Sequence, residues 1–185
     1  MGIIIAIANQ KGGVGKTTTA INLGAALARE QKRTLLIDLD EQANATIGIG
    51  FSRENVAISS FELLTRDIDI REAICNTKDS YFDIVPSSNK LASIEKTLYG
   101  CEDKEQNLMK KVEPIKNSYD YILLDCPPSL GVIIDNALFV SDSVIIPVEC
   151  EFFAYDALTQ MVNKINQVQK AKNKINKSLT IEGVL

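Results

Sequence analysis

The sequence predicts an α/β fold: a mainly parallel, twisted sheet with helices on both faces, in a single domain over residues 1–185. Two observations carry the fold class. Short, continuous apolar runs recur along the chain, as strands buried on both faces require, and helix-like segments alternate with them. A third observation fixes where ligands should meet the sheet. The first apolar run leads directly into a glycine-rich loop and then a helix, the order a phosphate-binding loop demands.

Taken in order, Ile3–Ala8 is rich in β-branched residues and forms the first strand, and Thr18–Arg29 follows as a helix. Further strands are expected at Thr34–Leu39, Phe82–Pro86, Tyr121–Asp125, Ser143–Val148 and Leu179–Leu185. Between them lie helix-like stretches at Ser60–Leu64 with Ile70–Cys75, Leu91–Leu98, Glu105–Lys116, Val132–Phe139 and Ala154–Lys172. Such alternation implies right-handed crossovers between parallel strands. Neither an internal repeat nor a low-complexity linker interrupts it. The chain closes on Ile181-Glu182-Gly183-Val184-Leu185, read as a buried strand without a covering helix. A truncated product is therefore the expectation.

The loop is Lys11-Gly12-Gly13-Val14-Gly15-Lys16-Thr17, with Thr18 opening the helix. Its glycines let successive backbone N–H groups point into one hollow, and the helix N-terminus adds partial positive charge there. Lys16 can reach outer phosphates and the Thr17 hydroxyl can ligate Mg²⁺. A standard phosphate loop would carry glycine where Gln10 stands, and it lacks a counterpart to Lys11.

These residues resemble the deviant Walker A motif of the P-loop NTPase superfamily that includes partition ATPases, septum-site-determining ATPases, nitrogenase iron protein and arsenite-pump ATPases. The resemblance implies ATP and ADP as ligands, with Mg²⁺. It also implies a homodimer formed with ATP, in which Lys11 reaches across the interface to the partner's nucleotide. Asp38-Leu39-Asp40-Glu41-Gln42-Ala43-Asn44-Ala45-Thr46 resembles the switch I segment of partition ATPases, DxDPQGNAT. Glu41 stands where proline, and Ala43 where glycine, is expected. A carboxylate at the C-terminal tip of a parallel strand emerges in the ligand crevice. The resemblance gives Asp40 the role of orienting the attacking water, and places it near the metal. The plainer reading is a solvated turn whose acids only cap.

Tyr121–Asp125 followed by Cys126-Pro127-Pro128 resembles a Walker B strand entering switch II. Asp125 would hold Mg²⁺ through a water, completing a metal set of Thr17, Asp40 and Asp125. Pro147-Val148-Glu149-Cys150-Glu151-Phe152-Phe153-Ala154 resembles a segment near the adenine and the dimer interface, with Glu149 where glutamine is usual. Glu151 is expected to meet the partner nucleotide's ribose or a basic group across the dimer; otherwise the segment is a turn with Phe152 and Phe153 as core. The partition resemblance covers nearly all residues present and only part of the family's domain.

Composition bounds the rest. With no histidine, histidine acid–base and histidine–metal chemistry are excluded, so catalysis falls to carboxylates, lysines, backbone N–H groups and a bound metal. Cys75, Cys101, Cys126 and Cys150 form no CxxC pair, so reduced, packed thiols are expected rather than a zinc site, a disulfide framework or an iron–sulfur cluster. A net charge of −4 gives no global sign of nucleic-acid binding. Lys164, Lys170, Lys172, Lys174 and Lys177 form a cluster with no acid among them, which suits DNA phosphates or an ordinary solvated helix end.

The leading expectation is a ParA/Soj-type partition ATPase. It binds non-specific DNA as an ATP dimer, is stimulated by a ParB-type centromere-binding partner, and lies in the cytoplasm on the nucleoid without stable membrane binding. Its rivals are a septum-site-determining, membrane-associated ATPase, whose DxGLRNLD-like switch I does not match Asp38–Asn44, and a metabolic ligase such as dethiobiotin synthetase.

Overall fold

In a computed structural model, which describes residues 2–52, 54, 56–151 and 154–185, the strands assemble into one seven-stranded sheet. These are β1 (Ile3–Ile7), β2 (Thr34–Asp38), β3 (Cys75–Asn76), β4 (Phe82–Val85), β5 (Tyr121–Asp125), β6 (Ser143–Ile146) and β7 (Thr180–Val184). Their order is β3-β4-β2-β5-β1-β6-β7. All pairings are parallel except β3 with β4. The helices are α1 (Lys16–Arg29), α2 (Asn44–Ile49), α3 (Ser60–Thr65), α4 (Ile94–Thr97), α5 (Asn107–Val112), α6 (Val132–Val140) and α7 (Ala154–Asn173).

Alternation along the central strands divides the core in two. Ile5 and Ile7 of β1 pack with Ala20 and Ala28 of α1, while Ile4, Ala6 and Ala8 face the larger cluster built with α3 to α7. The sheet is thus covered on both faces, one chiefly by α1. Gly24 lets α1 lie close to the sheet, because a Cβ there would stand 2.5 Å from the Phe82 ring.

The sheet edge that matters for function is the C-terminal tip of the middle strands. Asp38 of β2 and Asp125 of β5 are register partners on neighbouring strands, and Asp125 is also aligned with Ile7 of β1, from which the glycine loop departs.

Several expectations need correction. Ile70–Cys75 is not a helix: a 3-10 turn at Ile70–Glu72 leads into the short edge strand β3. Leu91–Leu98 begins as 3-10 at Asn89–Ser93 before becoming α4, and Glu105–Lys116 divides into 3-10, α5 and 3-10 segments, with Pro114 at the start of the last. The switch-like segment is more than a solvated turn, since its end opens the short helix α2. The final strand is an exposed outer strand rather than a buried one, with Ile181, Val184 and Leu185 open to solvent. Together with Ile145 and the outward turn of α1 it borders an apolar hollow of about 630 Å³. Cys126 is buried and Cys75 half-buried, but Cys101 and Cys150 are exposed, so only part of the packed-thiol expectation holds.

Candidate nucleotide site

The glycine loop is pinned before it turns. Asn9, buried at the end of β1, donates through Nδ2 to the Pro147 carbonyl (2.7 Å) and accepts the Lys11 N–H at Oδ1 (3.0 Å). Gly13 and Gly15 have φ of 79° and 83°, the left-handed region in which a side chain is strained. A Cβ at Gly12, Gly13 or Gly15 would meet no atom within 4 Å, so the hollow above the loop is open, and at Gly13 and Gly15 the need for glycine is torsional. Gly15 is the N-cap of α1, whose first turn carries no acid, leaving the N-terminal partial charge for a ligand. Lys16 is buried, and its Nζ donates to the Lys11 carbonyl at 2.9 Å. Burial lowers its pKa, against the pull of the Asp125 and Asp40 carboxylates.

Opposite the loop stand the acids. Asp38 is fully buried and accepts from the Asp40 N–H (3.1 Å), the Thr46 N–H (2.8 Å) and the Thr46 hydroxyl (2.7 Å). Burial pushes its pKa up to about 6, with the Thr46 hydrogen bonds opposing the shift. Asp125 is also fully buried, and among the described residues neither carboxylate oxygen makes a well-formed hydrogen bond, although the Thr17 side chain is near enough to favour its charged form. Burial, reinforced by the Asp38 charge, raises its pKa to about 7, while Thr17 and Lys16 act in the opposite direction. A buried carboxylate without a partner is costly. A cation delivered between Asp125 and Thr17 would meet it, so the donors present fit Mg²⁺. Among the described residues no group of three or more acids or cysteines is placed to hold a metal.

Asp40 is nearly buried; its Oδ1 accepts the Gln42 N–H at 2.9 Å, and its other oxygen takes part in no hydrogen bond among the described residues. Ala43, where the resemblance expects glycine, has φ of 54°, so the segment holds left-handed strain of about 1–2 kcal/mol.

The structure therefore gathers Lys11, Gly12, Gly13, Val14, Gly15, Lys16, Thr17, Asp40 and Asp125 at one edge. Thr18 can contribute only through its backbone at the start of α1, since its side chain is exposed and borders the apolar hollow. Glu151 meets a basic group, but in its own chain: it is ion-paired and hydrogen-bonded to Lys11 Nζ, which also lies 3.7 Å from Glu149. The Glu151 hydrogen bond raises the Lys11 pKa. Phe152 and Phe153 lie outside the described residues.

The lysine cluster is not one basic face. Lys172 is 1% exposed and donates to the Leu138 and Ser141 carbonyls at the end of α6, and burial lowers its pKa to about 8. Lys164 pairs with Asp135 and Lys177 with Glu113, leaving Lys170 and Lys174 exposed. Two site residues escaped the sequence reading, Asn9 and Ser87, whose hydroxyl donates to the Asp40 carbonyl at 2.6 Å. The available signal was their position, since each is a polar residue just past the C-terminal tip of a parallel strand.

Comparison with known proteins agrees with this geometry. The AAA_31 family, described as an AAA domain, matches residues 2–181. The sporulation initiation inhibitor protein Soj of Bacillus subtilis is 48% identical over the whole chain, which spans 72% of that protein. The chromosome partitioning protein ParA of Myxococcus xanthus is 44% identical over the whole chain, which spans 64% of its length. Among solved structures, a putative plasmid partition protein of Borrelia burgdorferi bound to AMPPNP superposes with a TM-score of 0.84 at 32% identity, covering 100% of this chain and 74% of that one. A Mycobacterium smegmatis chain described as cobyrinic acid a,c-diamide synthase, with ADP and magnesium, gives 0.93 at 34% identity, covering 100% and 74%. With its loop, switch-like segment and sheet all of one pattern, the chain has the P-loop NTPase fold and belongs to the AAA_31 family, alongside the Soj and ParA chromosome-partitioning proteins.

Proposed function

We propose that this chain works as a DNA-partition ATPase, alternating between an ATP-bound sandwich dimer and a monomer that is empty or holds ADP. The observation that carries the reading is the Asp125 carboxylate, buried without a well-formed hydrogen bond among the described residues and beside Lys16 and Thr17, with Asp40 on the same edge. In this reading the backbone N–H groups of Gly12 to Thr18 and the start of α1 cradle the phosphates, and Lys16 leaves the Lys11 carbonyl to meet the outer ones. Thr17 and Asp125 hold Mg²⁺, with Asp40 close by. The ion, when bound, neutralises phosphate charge for in-line attack. Asp40 uses its unengaged oxygen to orient the attacking water.

Lys11 acts in trans in this scheme, and its partners here make that inexpensive. The pair with Glu151 is partly solvated, the lysine side chain being 24% and the glutamate 57% exposed. Such solvent-screened pairs are weak, and a triphosphate across a dimer interface readily outweighs one. Glu151 then acts as the resting partner of Lys11 in the monomer.

The finer biology follows the relatives. Non-specific DNA and a ParB-type centromere-binding protein are the proposed partners, hydrolysis is slow until that partner stimulates it, and the protein resides in the cytoplasm on the nucleoid. The buried and paired lysines of α7 and its C-terminal turn do not supply the DNA surface as a set. No helix among the described residues is long and apolar enough to cross a membrane. The ligase alternative has a structural neighbour of similar shape, but the Asp38–Thr46 pattern and the 48% identity to Soj favour partition.

Asp40→Ala tests the reading. It should keep ATP affinity and lose about 10²- to 10⁴-fold in single-turnover hydrolysis. Hydrolysis at the parental rate, or loss of ATP binding, would overturn it.

A further inference from the structure

We propose that Ser87 is a positioning residue for hydrolysis, holding Asp40 at its working angle through a closed ring of buried hydrogen bonds. The inference rests on the water-orienting role proposed for Asp40.

Both peptide groups around Asp40 are fixed by other residues. Its N–H donates to Asp38 Oδ1 at 3.1 Å, and its carbonyl accepts the Ser87 hydroxyl at 2.6 Å as well as the Ala43 N–H at 2.9 Å. Ser87 in turn donates its own N–H to Thr46 Oγ1 at 2.8 Å, and the Thr46 hydroxyl proton goes to Asp38 Oδ2 at 2.7 Å. The ring thus runs from Asp38 to Asp40, to Ser87, to Thr46 and back to Asp38. Each hydroxyl in it has one direction available. The Thr46 proton is spent on a carboxylate that can only accept when ionised, and its lone pair takes the Ser87 N–H. Asp38, Thr46 and Ser87 are fully buried and Asp40 is 8% exposed, so water does not compete for these bonds.

The ring also has a rigid anchor. Ser87 lies just past β4, in a stretch tied to the start of α3: the Ser60 N–H donates to the Pro86 carbonyl at 2.9 Å, and the Ser59 and Ser88 hydroxyls are 2.9 Å apart. Ser59 completes a capping box with Glu62. The direction of the Asp40 side chain is therefore set from β4 and α3 as well as from its own strand. None of the ring atoms has to touch the nucleotide. Ser87 acts through Asp40, and a small rotation of that carboxylate is enough to misplace a bound water.

The test is a double-mutant cycle on the full chain with Ser87→Ala, Asp40→Ala and both together, following single-turnover ATP hydrolysis and binding of a fluorescent ATP analogue. Ser87→Ala should lose about 10- to 100-fold in hydrolysis, with analogue affinity unchanged within about threefold, and should add no further loss to Asp40→Ala. Amide hydrogen exchange over residues 38–46 should quicken in Ser87→Ala without nucleotide, a readout independent of turnover. Thr46→Ser, which keeps the bridging hydroxyl, should hydrolyse as the parent does, while Thr46→Val should resemble Ser87→Ala. Parental hydrolysis in Ser87→Ala, an equal loss with and without Asp40, or unchanged exchange over 38–46 would overturn the proposal. If Asp40→Ala alone hydrolyses normally, the water-orienting role fails first, and that arm identifies it. If Ser87→Ala does not fold, the two Thr46 variants decide: equal rates in both overturn the ring.

Discussion

Asp125→Asn should stabilise the nucleotide-free protein while disabling it. The carboxylate is fully buried, makes no well-formed hydrogen bond among the described residues, and has a pKa raised from 3.8 to about 7, by burial first and the Asp38 charge second, with Thr17 opposing. At about 1.4 kcal/mol per tenfold change in ionisation, keeping it charged at pH 8 costs roughly 4 kcal/mol. Asparagine removes the charge at nearly the same shape, but its amide must find partners, so part of that figure is given back. A net gain of about 1–3 kcal/mol at pH 8 is the expectation. The sign with pH follows from proton binding. Between pH 4 and 7 the folded state holds a proton that the unfolded chain releases, so this group's contribution falls as pH rises through that window. At pH 5 the parental Asp125 is largely neutral, and the advantage of asparagine should shrink. Urea unfolding at pH 8 and pH 5 without nucleotide measures both numbers. A ligand present at a hundred times its Kd should then stabilise the parent by about 2.7 kcal/mol, and Mg-ATP should do much less for Asp125→Asn. If the variant were less stable than the parent at pH 8, the view of Asp125 as a metal ligand held at a cost would be wrong.

Two further sites check the scaffold. Gly24→Val should destabilise by about 1–3 kcal/mol, because its Cβ would press on the Phe82 ring, and Phe82→Leu should relieve part of that; additive losses in chemical denaturation would refute the contact. Burial alone would raise the Glu62 pKa, but hydrogen bonds from Lys90 and Ser59 overrule it and bring it to about 2. Its stabilisation is present above about pH 4.5 and lost as pH falls towards 2, an effect of about 1–2 kcal/mol given that Lys90 is half exposed. Glu62→Gln should flatten the acid limb of melting temperature against pH, and an unchanged slope would contradict the network.

Much of this site was legible because it lies where chain order and strand chemistry agree. The glycines, Lys16 and the acids at the tips of β2 and β5 are each local in sequence, and a parallel sheet brings strand tips together without further information. What stayed hidden depends on partners far along the chain. Ser87 reads as an ordinary turn residue until β4 is placed beside β2, which puts its hydroxyl against Asp40. Lys172 reads as surface charge, yet its long stem lets the ammonium reach the carbonyls that end α6, a partner no helical pattern specifies. The brief antiparallel strand at Cys75–Asn76 is too short to show a period and exists only because β4 offers an edge. Glu151 reads as meeting the partner nucleotide's ribose or a basic group across the dimer, and charge alone does not say that Lys11 of the same chain lies within its reach.

In the proposed cycle Lys11 exchanges its own Glu151 for the nucleotide of a second copy. Lys11→Ala should bind ATP with parental affinity, since Lys16, Thr17 and Asp125 remain, yet stay monomeric with a non-hydrolysable ATP analogue while the parent dimerises, as read by light scattering on the full chain. Parental dimer formation by Lys11→Ala would contradict the account.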